Sequence, residues 1–342
     1  MVSLLRLLLA AVDGRPQALP AGVDAAEVLA VARRHRLSPL LSLVDLPAAP
    51  PALSGELRRD RVVTTARNMM FAQVAEECAR AFAAAGVPVV LLKGLAYSAT
   101  IYSEAGVRPT SDVDLLVPDG ARRTSFEVLD RLGFEPRAAA PGFDDADYHE
   151  VAWTRKGVEV DLHLALAPLV RCHIDYPTVW GSVGDIAIGG ARVGVLHPQH
   201  AVLFHALHMA IDHFDVPALY LVDFGRLLQA AGERAPVEAL ARAWGCWRPF
   251  ATAVALASAF LPAGMEPSDP ARVAAFSRRV VSGYGAPERV PRPEQLVRKL
   301  MHFDTGRDAL RYLAVQGRRN VRELFERRVR RRSARQRLAM ER

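Results

Sequence analysis

Apolar positions recur every three or four residues along both ends of the chain, whereas the centre alternates between short apolar runs and polar breaks. This spacing predicts helices over residues 1 to about 46, over about 54 to 85, and over most of the chain after Pro198. The segment Pro47–Pro51 is predicted to be a turn. Gly86, followed two residues later by a proline, is a regular helix stop. The flanks of the chain are therefore predicted to be helical.

The centre is predicted to combine strands with two short helices. The predicted strands are Val87–Leu92, Val113–Val117, the pair His149–Arg155 and Val158–Leu166 joined by a Lys156-Gly157 turn, and Asp185–Leu196 with Gly189-Gly190 as its turn. The predicted helices are Leu95–Tyr102 and Ala121–Leu132. The expected class is α+β, with a mixed sheet, flanking helices and helical N-terminal and C-terminal parts.

These patterns predict four parts of the chain. A helical lead-in over 1–85 packs on a core over 86–197, which is followed by a helical C-terminal domain over 198–317 and an arginine-rich tail over 318–342. A length of 342 residues agrees with roughly two domains of about 150 residues.

Several features of the composition favour a cytoplasmic protein without a transmembrane segment. No charge-free apolar run approaches the ~20 residues that span a bilayer. The apolar N-terminus has Arg6 inside it and Asp13 after it, the wrong charge order for an export signal, so we predict an amphipathic first helix. The cysteines at positions 78, 172 and 246 are odd in number and far apart, so no disulfide framework is expected.

The positive charge is concentrated at the C-terminal end. Arg318–Arg337 contains ten arginines and two glutamates, a net charge of +8, whereas the whole chain carries +7. A phosphate-rich partner, either RNA or an anionic membrane surface, is one interpretation of this segment. A solvated helix or a frayed terminus is the other.

The most informative segment is Arg108–Val117, which carries two aspartates separated by one residue. Alternate side chains of a strand point to the same face, so Asp112 and Asp114 are expected to project together. Adjacent carboxylates repel each other unless a divalent cation lies between them, and oxygen ligands suit Mg²⁺. Because Asp-x-Asp pairs at strand ends are common, this motif alone does not establish a metal site.

A second acidic strand repeats the spacing in Glu159, Asp161 and His163, which are predicted to share one face. If the two strands are neighbours in a sheet, Asp112, Asp114 and Asp161 can converge. Three carboxylates can hold two Mg²⁺ ions about 3.5–4 Å apart, the arrangement that clamps the entering and leaving oxygens of phosphoryl transfer.

Lys93 and Gly94 follow a predicted strand and precede a predicted helix. A glycine at such a turn lets backbone N–H groups approach phosphates, and the start of a helix adds a favourable field. Lys93 would add a point charge for a triphosphate, and Arg108 could do the same. The alternative interpretation is an ordinary surface lysine followed by a helix-entry turn.

These motifs together resemble the uncharacterised nucleotidyltransferase family of the DNA-polymerase-β-like superfamily. The residues that carry the resemblance are Leu92-Lys93-Gly94, Tyr102, Arg108, Ser111–Val117, His149 and Glu159–His163. Similarity extends over His35–Leu41 and over Pro198–Leu228, which includes His208 and Val222-Asp223. The resemblance covers residues from about 25 to about 230, and it implies a polymerase-β-like nucleotidyltransferase core.

The resemblance implies a transfer of a nucleoside monophosphate group from an NTP to an acceptor hydroxyl, with release of pyrophosphate and with Mg²⁺ or Mn²⁺ as cofactor. Asp112, Asp114 and Asp161 would be the catalytic, metal-binding carboxylates, and Glu159 remains an alternative to Asp161. The implied triphosphate contacts are Lys93, Gly94, Arg108 and Ser111. The family's superfamily relatives mostly carry Gly-Ser or Gly-Gly where this chain has Lys93-Gly94.

A histidine-rich stretch offers a different hypothesis. His205, His208 and Asp212 are spaced to share one helical face, and two histidines with one aspartate can form a metal site. The alternative is that these histidines are hydrogen-bonded within a helix packed beside the active site, or that His208 contacts the nucleotide or the acceptor.

The acceptor is open at this stage: a small molecule, a peptide or RNA. One alternative function is a toxin-like nucleotidyltransferase that modifies tRNA, which the basic segment Arg318–Arg337 would suit. Another is a catalytically silent nucleotide-binding module, and a third is a tailoring enzyme that acts on a small molecule or peptide.

Overall fold

A computed structural model describes residues 2–137, 149–168, 172–261, 267–284, 291–315 and 317. The basic segment Arg318–Arg337 and the expected tail 318–342 lie outside these residues. No helix in the described part of the chain is both long and apolar enough to cross a membrane.

Helices form both flanks, as the three-to-four spacing predicts. The N-terminal helices are α1 (Val2–Val12), α2 (Ala25–Arg34), α3 (Ser38–Leu41) and α4 (Pro51–Ala84). Those of the centre are α5 (Lys93–Thr100), α6 (Arg122–Arg131) and α7 (Tyr176–Gly181). The C-terminal helices are α8 (Pro198–Ile211), α9 (Leu219–Ala230), α10 (Arg234–Ala243), α11 (Trp247–Phe260), α12 (Pro270–Gly283) and α13 (Arg292–Met301).

Among the described residues, the strands form one mixed sheet in the order β3-β4-β5-β2-β1-β7-β6. The strands are β1 (Val90–Leu91), β2 (Val113–Leu116), β3 (Glu135–Pro136), β4 (Glu150–Arg155), β5 (Val158–His163), β6 (Gly184–Ile188) and β7 (Ala191–Val195). β2 runs parallel to β5 and antiparallel to β1, and β1 runs parallel to β7. The predicted α+β class with a mixed sheet and helical flanks is confirmed.

Both predicted hairpins form. β4 and β5 pair antiparallel around Lys156-Gly157, and β6 and β7 pair antiparallel around Gly189-Gly190. Lys156 and Gly157 both adopt positive φ, as a tight turn of this kind requires. β3 is a short exposed edge strand whose second residue is a proline, and the alternation of apolar residues does not indicate it.

The long helix α4 lies against the sheet. It begins on Pro51 and ends before Gly86, whose φ of 67° reverses the chain as the stop signal predicts. It packs on β2, β6 and β7, and buried apolar side chains from the helices and the sheet join one continuous core. The sheet and the helices of both flanks are therefore parts of one packed core in the described chain.

Candidate active site

β2 and β5 bring the two acidic motifs together. In their parallel register Asp114 lies directly opposite Asp161, and Val113 lies opposite Val160. The apolar side chains that alternate with these aspartates are buried: Val113, Leu115, Val160 and Leu162. Asp112 stands one residue before β2 and interacts electrostatically with both Asp114 and Asp161. The three predicted carboxylates therefore lie beside one another.

Asp114 is the innermost carboxylate, with 2% of its surface exposed. The ammonium nitrogen of Lys93 lies 2.8 Å from its Oδ1, and Nε2 of His163 lies 3.0 Å from the same oxygen. Burial alone would raise the pKa of Asp114, but Lys93 and His163 outweigh burial and hold that pKa well below its ordinary value. Asp114 is therefore ionised, and Lys93 is its counter-ion.

Asp161 and Asp112 differ from Asp114 in that their pKa values are raised rather than lowered. Burial, together with the charges of Asp114 and Asp112, raises the pKa of Asp161 from 3.8 to about 7. Burial and Asp114 also raise the pKa of Asp112, although Lys93 and a hydrogen bond from Ser111 oppose them. The cluster thus carries more negative charge than Lys93 balances, which favours an added cation.

Glu159 lies on the same strand but has a different partner. Its Oε2 accepts a hydrogen bond from Nη1 of Arg137 at 2.8 Å. This geometry favours Asp161 over Glu159 as the third carboxylate of the site.

Lys93 and Gly94 form the turn between β1 and α5, called the glycine turn below. It packs directly on the segment that leads to Asp112. Lys93 has φ 35°, and Gly94 has φ 20° and ψ −102°, which interrupts the first turn of α5. A Cβ at Gly94 would lie 3.0 Å from Cγ2 of Thr110, and the backbone N–H of Leu92 donates to the carbonyl of Asp114 at 2.9 Å. Glycine is needed here for conformation and for space.

Ser111 and Arg108 differ in their access to a ligand. Ser111 is exposed, and its hydroxyl donates to Oδ2 of Asp112 at 3.2 Å. Arg108 is 5% exposed, and its guanidinium is paired with Asp223 of α9 at 2.9 Å. The expected contact of Arg108 with a triphosphate therefore does not agree with this geometry, because the guanidinium is turned away from solvent into a buried ion pair.

The donor chemistry of the acidic cluster fits a divalent cation. Asp112, Asp114 and Asp161 offer hard, anionic oxygens, which suit Mg²⁺ or Mn²⁺. Within the described residues, no three His, Cys, Asp or Glu side chains stand close enough to hold a metal as they are placed. At this cluster the Lys93 ammonium takes the inner oxygen of Asp114.

The histidines of α8 are parts of the core. His205 is fully buried and lies 2.9 Å from the carbonyl oxygen of Tyr220, and burial lowers its pKa to about 4. His208 stacks on the Tyr220 ring, and its Nε2 is 3.9 Å from Oδ2 of Asp212. These contacts favour the alternative interpretation, in which His205 and His208 are packed and bonded within the helical layer.

Glu150 and Asn68, both near the site, were not singled out from the sequence, and Asp223 was named only through the family resemblance, without a role. Glu150 faces His163 across the β4–β5 hairpin, and counting outward from the Lys156-Gly157 turn would have found it. Asn68 and Asp223 reach the site from helices distant in sequence. No local pattern indicates either of them.

An apolar cavity of about 200 Å³ lies beside Lys93. It is bounded by one face of α5, by the start of α8 and by the end of α9, and Tyr97 is the aromatic residue in its lining. Most of the other lining side chains are aliphatic. Of the predicted site residues, Lys93 lines this cavity, and the three carboxylates do not.

Comparison with known families defines the class of this chain. A family model described as "Uncharacterised nucleotidyltransferase" matches residues 21–262, well over half of the chain. The fold, with its paired acidic strands and glycine turn, is accordingly that of a nucleotidyltransferase enzyme. The chain belongs to the uncharacterised nucleotidyltransferase family.

Solved structures show more distant likenesses. The crystal structure of ANT(2")-Ia in complex with adenylyl-2"-tobramycin is 16% identical with a TM-score of 0.37, over 50% of this chain and 95% of that one. An antigenic nucleotidyltransferase-like protein from Paracoccidioides brasiliensis is 16% identical with a TM-score of 0.35, over 54% and 85%. At this level of similarity they say nothing of site or substrate. A search of curated proteins finds no match.

Proposed function

We propose that this protein transfers a nucleoside monophosphate group from an NTP to an acceptor hydroxyl and releases pyrophosphate, with Mg²⁺ or Mn²⁺ bound at the acidic cluster. The observation that carries the proposal is the parallel register that sets Asp114 directly opposite Asp161, with Asp112 beside them. The excess negative charge of this cluster suits a divalent cation, which would in turn neutralise the negative charge that builds on phosphate oxygens during transfer.

Asp112 and Asp114 would hold the cation, and Asp161 would complete the ligand set. A divalent ion bound there would lower the pKa of the acceptor hydroxyl and neutralise charge on the leaving pyrophosphate. The acceptor oxygen forms a bond to the α-phosphorus as the bond from that phosphorus to the pyrophosphate oxygen breaks. Asp161 would also orient the acceptor hydroxyl or take up its proton.

Lys93, Gly94 and Ser111 would bind the triphosphate. Gly94 lets the backbone come close to a phosphate, and Ser111 presents an exposed hydroxyl next to Asp112. The Lys93 ammonium would exchange its contact with Asp114 for one with the triphosphate. Arg108 enters this proposal as a buried residue that shapes the loop, because its guanidinium is engaged by Asp223.

The cavity beside Lys93 supports an acceptor that carries an apolar group. A volume of about 200 Å³ accommodates a ring-sized group, and the mostly aliphatic lining offers little for reading a nucleobase by hydrogen bonds. This favours a small-molecule or peptide acceptor over RNA.

Label transfer tests the proposal. Purified protein is incubated with each NTP labelled at the α-phosphorus, with Mg²⁺ or Mn²⁺, and with the small-molecule, peptide and RNA fractions of a host extract. We expect label to enter an acceptor with wild type and with Glu159→Gln, and to be lost with Asp161→Asn. Label transfer that survives Asp161→Asn but not Glu159→Gln would assign the third carboxylate to Glu159. Transfer by neither the wild type nor any variant would reject the proposed reaction.

A further inference from the structure

The segment Gly106–Thr110, which leads to Ser111 and Asp112, is held from two sides by helices outside the sheet. We propose that Asn68 of α4 and Asp223 of α9 are positioning residues of the active site, which set where the Asp112 carboxylate stands relative to Asp114. This inference rests on the proposed function. It concerns residues that touch neither the reacting atoms nor the carboxylates proposed as metal ligands.

Asn68 binds the backbone on both sides of Pro109. Its Nδ2 donates to the carbonyl oxygen of Arg108 at 2.8 Å, and its Oδ1 accepts from the N–H of Thr110 at 3.2 Å. Proline has no N–H to offer, so a side-chain amide spanning it satisfies the two nearest backbone groups. Asn68 is 8% exposed, and a hydrogen bond made in such a buried place fixes the position of the chain.

The same helix leaves little room for the segment to shift. Gly106 has φ 74°, and a Cβ there would lie 1.8 Å from Oγ1 of Thr65, so the backbone rests directly on α4. Thr110 in turn contacts the glycine turn through Gly94. Movement of the segment away from α4 would therefore displace both Asp112 and the turn that carries Lys93.

α9 holds the segment from the other side. Asp223 is fully buried and accepts from Nε and Nη2 of Arg108, the latter at 2.9 Å. The hydroxyl of Tyr102 donates to Oδ1 of the same carboxylate at 2.6 Å. Nη1 of Arg108 also donates to the carbonyl oxygen of Pro109 at 3.1 Å, so Arg108 binds the same 109–110 peptide whose N–H donates to Asn68.

A general contribution to stability is the rival explanation for both contacts. If the two residues only stabilise the fold, any substitution in α4 that lowers the free energy of unfolding by a similar amount should affect the site equally. A positioning role predicts a local effect on the segment that exceeds the loss of stability. Val74 provides the matched control, because it lies further along α4, is also 8% exposed and carries no polar group.

The experiment compares Asn68→Ala with Val74→Ala in the full chain. Amide hydrogen exchange of peptides covering residues 106–114 reports the order of the segment, and calorimetric titration with Mn²⁺ reports the affinity of the site. We expect Asn68→Ala to speed exchange in this segment and to weaken Mn²⁺ binding roughly tenfold, the effect of losing one or two hydrogen bonds. Val74→Ala is expected to change neither by more than about twofold.

The outcomes separate this inference from the proposed function. If wild type binds Mn²⁺ and Asn68→Ala matches Val74→Ala in exchange and affinity, the positioning role is overturned while the function stands. If wild type does not bind Mn²⁺, either alone or in the presence of NTP, the proposed function fails, and the positioning role fails with it. Should Asn68→Ala not fold, Asn68→Asp replaces it: this variant keeps the acceptor for Thr110 but loses the donor to Arg108, and we expect an intermediate effect.

Discussion

Lys93 occupies the place where positive charge matters most in this site. Its side chain is 12% exposed and that of Asp114 is 1% exposed, so the pair is shielded from water. Burial opposes the charged form of Lys93, yet Asp114 raises its pKa above the ordinary value. In the metal-free protein the Lys93 ammonium thus neutralises the Asp114 carboxylate, as a bound cation would.

Replacement of Lys93 by methionine tests this role. Removing one partner of a buried ion pair leaves the other uncompensated, and we expect the free energy of unfolding to fall by about 3–5 kcal/mol. Mg²⁺ should restore part of the loss, because it binds the folded state and neutralises the freed carboxylate. Urea denaturation with and without Mg²⁺ measures both effects.

Lys156→Met is the matched control for that substitution. Lys156 is exposed in the β4–β5 turn, and the change should stay within about 0.5 kcal/mol of wild type. A Lys93→Met protein as stable as Lys156→Met, with no response to Mg²⁺, would show that Lys93 is not the counter-ion of the cluster.

Asp161 predicts a pH dependence of stability. Its pKa is raised from 3.8 in the unfolded chain to about 7 in the folded protein, by burial and by the facing charges of Asp114, Asp112 and Glu150 against His163. The folded state therefore holds the proton more tightly. The stabilisation that this bound proton gives the folded state is fully present below about pH 3.8 and is lost as the pH rises through about 7.

In metal-free buffer we expect the free energy of unfolding of wild type to fall, relative to Asp161→Asn, between about pH 4 and about pH 7. Urea midpoints across this range measure the difference. Parallel pH profiles for the two proteins would mean that Asp161 titrates at its ordinary value.

At the scale of elements, the turn between β1 and α5 depends on Gly94. A side chain there would have to adopt φ 20° and would press on Thr110 at 3.0 Å. We expect Gly94→Ala to lower the free energy of unfolding by about 1–3 kcal/mol and to weaken NTP binding as the turn moves. Gly120→Ala is the control, because a Cβ at that position meets nothing within 4 Å. Equal stability and NTP affinity in the two variants would remove the need for glycine at the turn.

The sequence predicted the elements that carry the site, because their local signals agree with the fold. Period-two alternation places Asp112 with Asp114 and Asp161 with His163, and the Lys156-Gly157 turn defines the β4–β5 hairpin. The prediction that the carboxylates converge assumed that β5 lies next to β2, and the sequence did not allow this pairing to be deduced. The sheet order depends on which apolar faces pack together, which no local pattern specifies.

Arg108 shows what local reasoning misses. An arginine four residues before an acidic pair is a plausible phosphate ligand, but its partner Asp223 lies in a helix more than a hundred residues later. Asn68 is likewise an unremarkable position on α4 until the segment it binds is placed against it. Which buried polar groups pair with each other depends on tertiary contacts, so these pairs can be identified only in the folded chain.

At the scale of the whole molecule, the helical flanks belong to the site. α4 comes from the N-terminal helices and α9 from the C-terminal ones, and both hold the segment before Asp112. The boundaries proposed at residues 85 and 197 separate elements by sequence, whereas the buried contacts cross them. We therefore expect substitutions at Asn68 and Asp223 to affect the site as strongly as many substitutions within the sheet.

Pyrophosphate release most directly tests the claim that the paired carboxylates perform nucleotidyl transfer. It is measured with NTP, Mg²⁺ or Mn²⁺ and the acceptor fraction, for wild type, for Asp112→Asn/Asp114→Asn and for a control with two exposed aspartates changed, Asp119→Asn/Asp130→Asn. We predict wild-type rates for the control and a loss of ~100-fold or more for the site variant. Pyrophosphate release at equal rates by all three proteins would contradict the account, and NTP binding without release by any of them would instead identify a silent nucleotide-binding module.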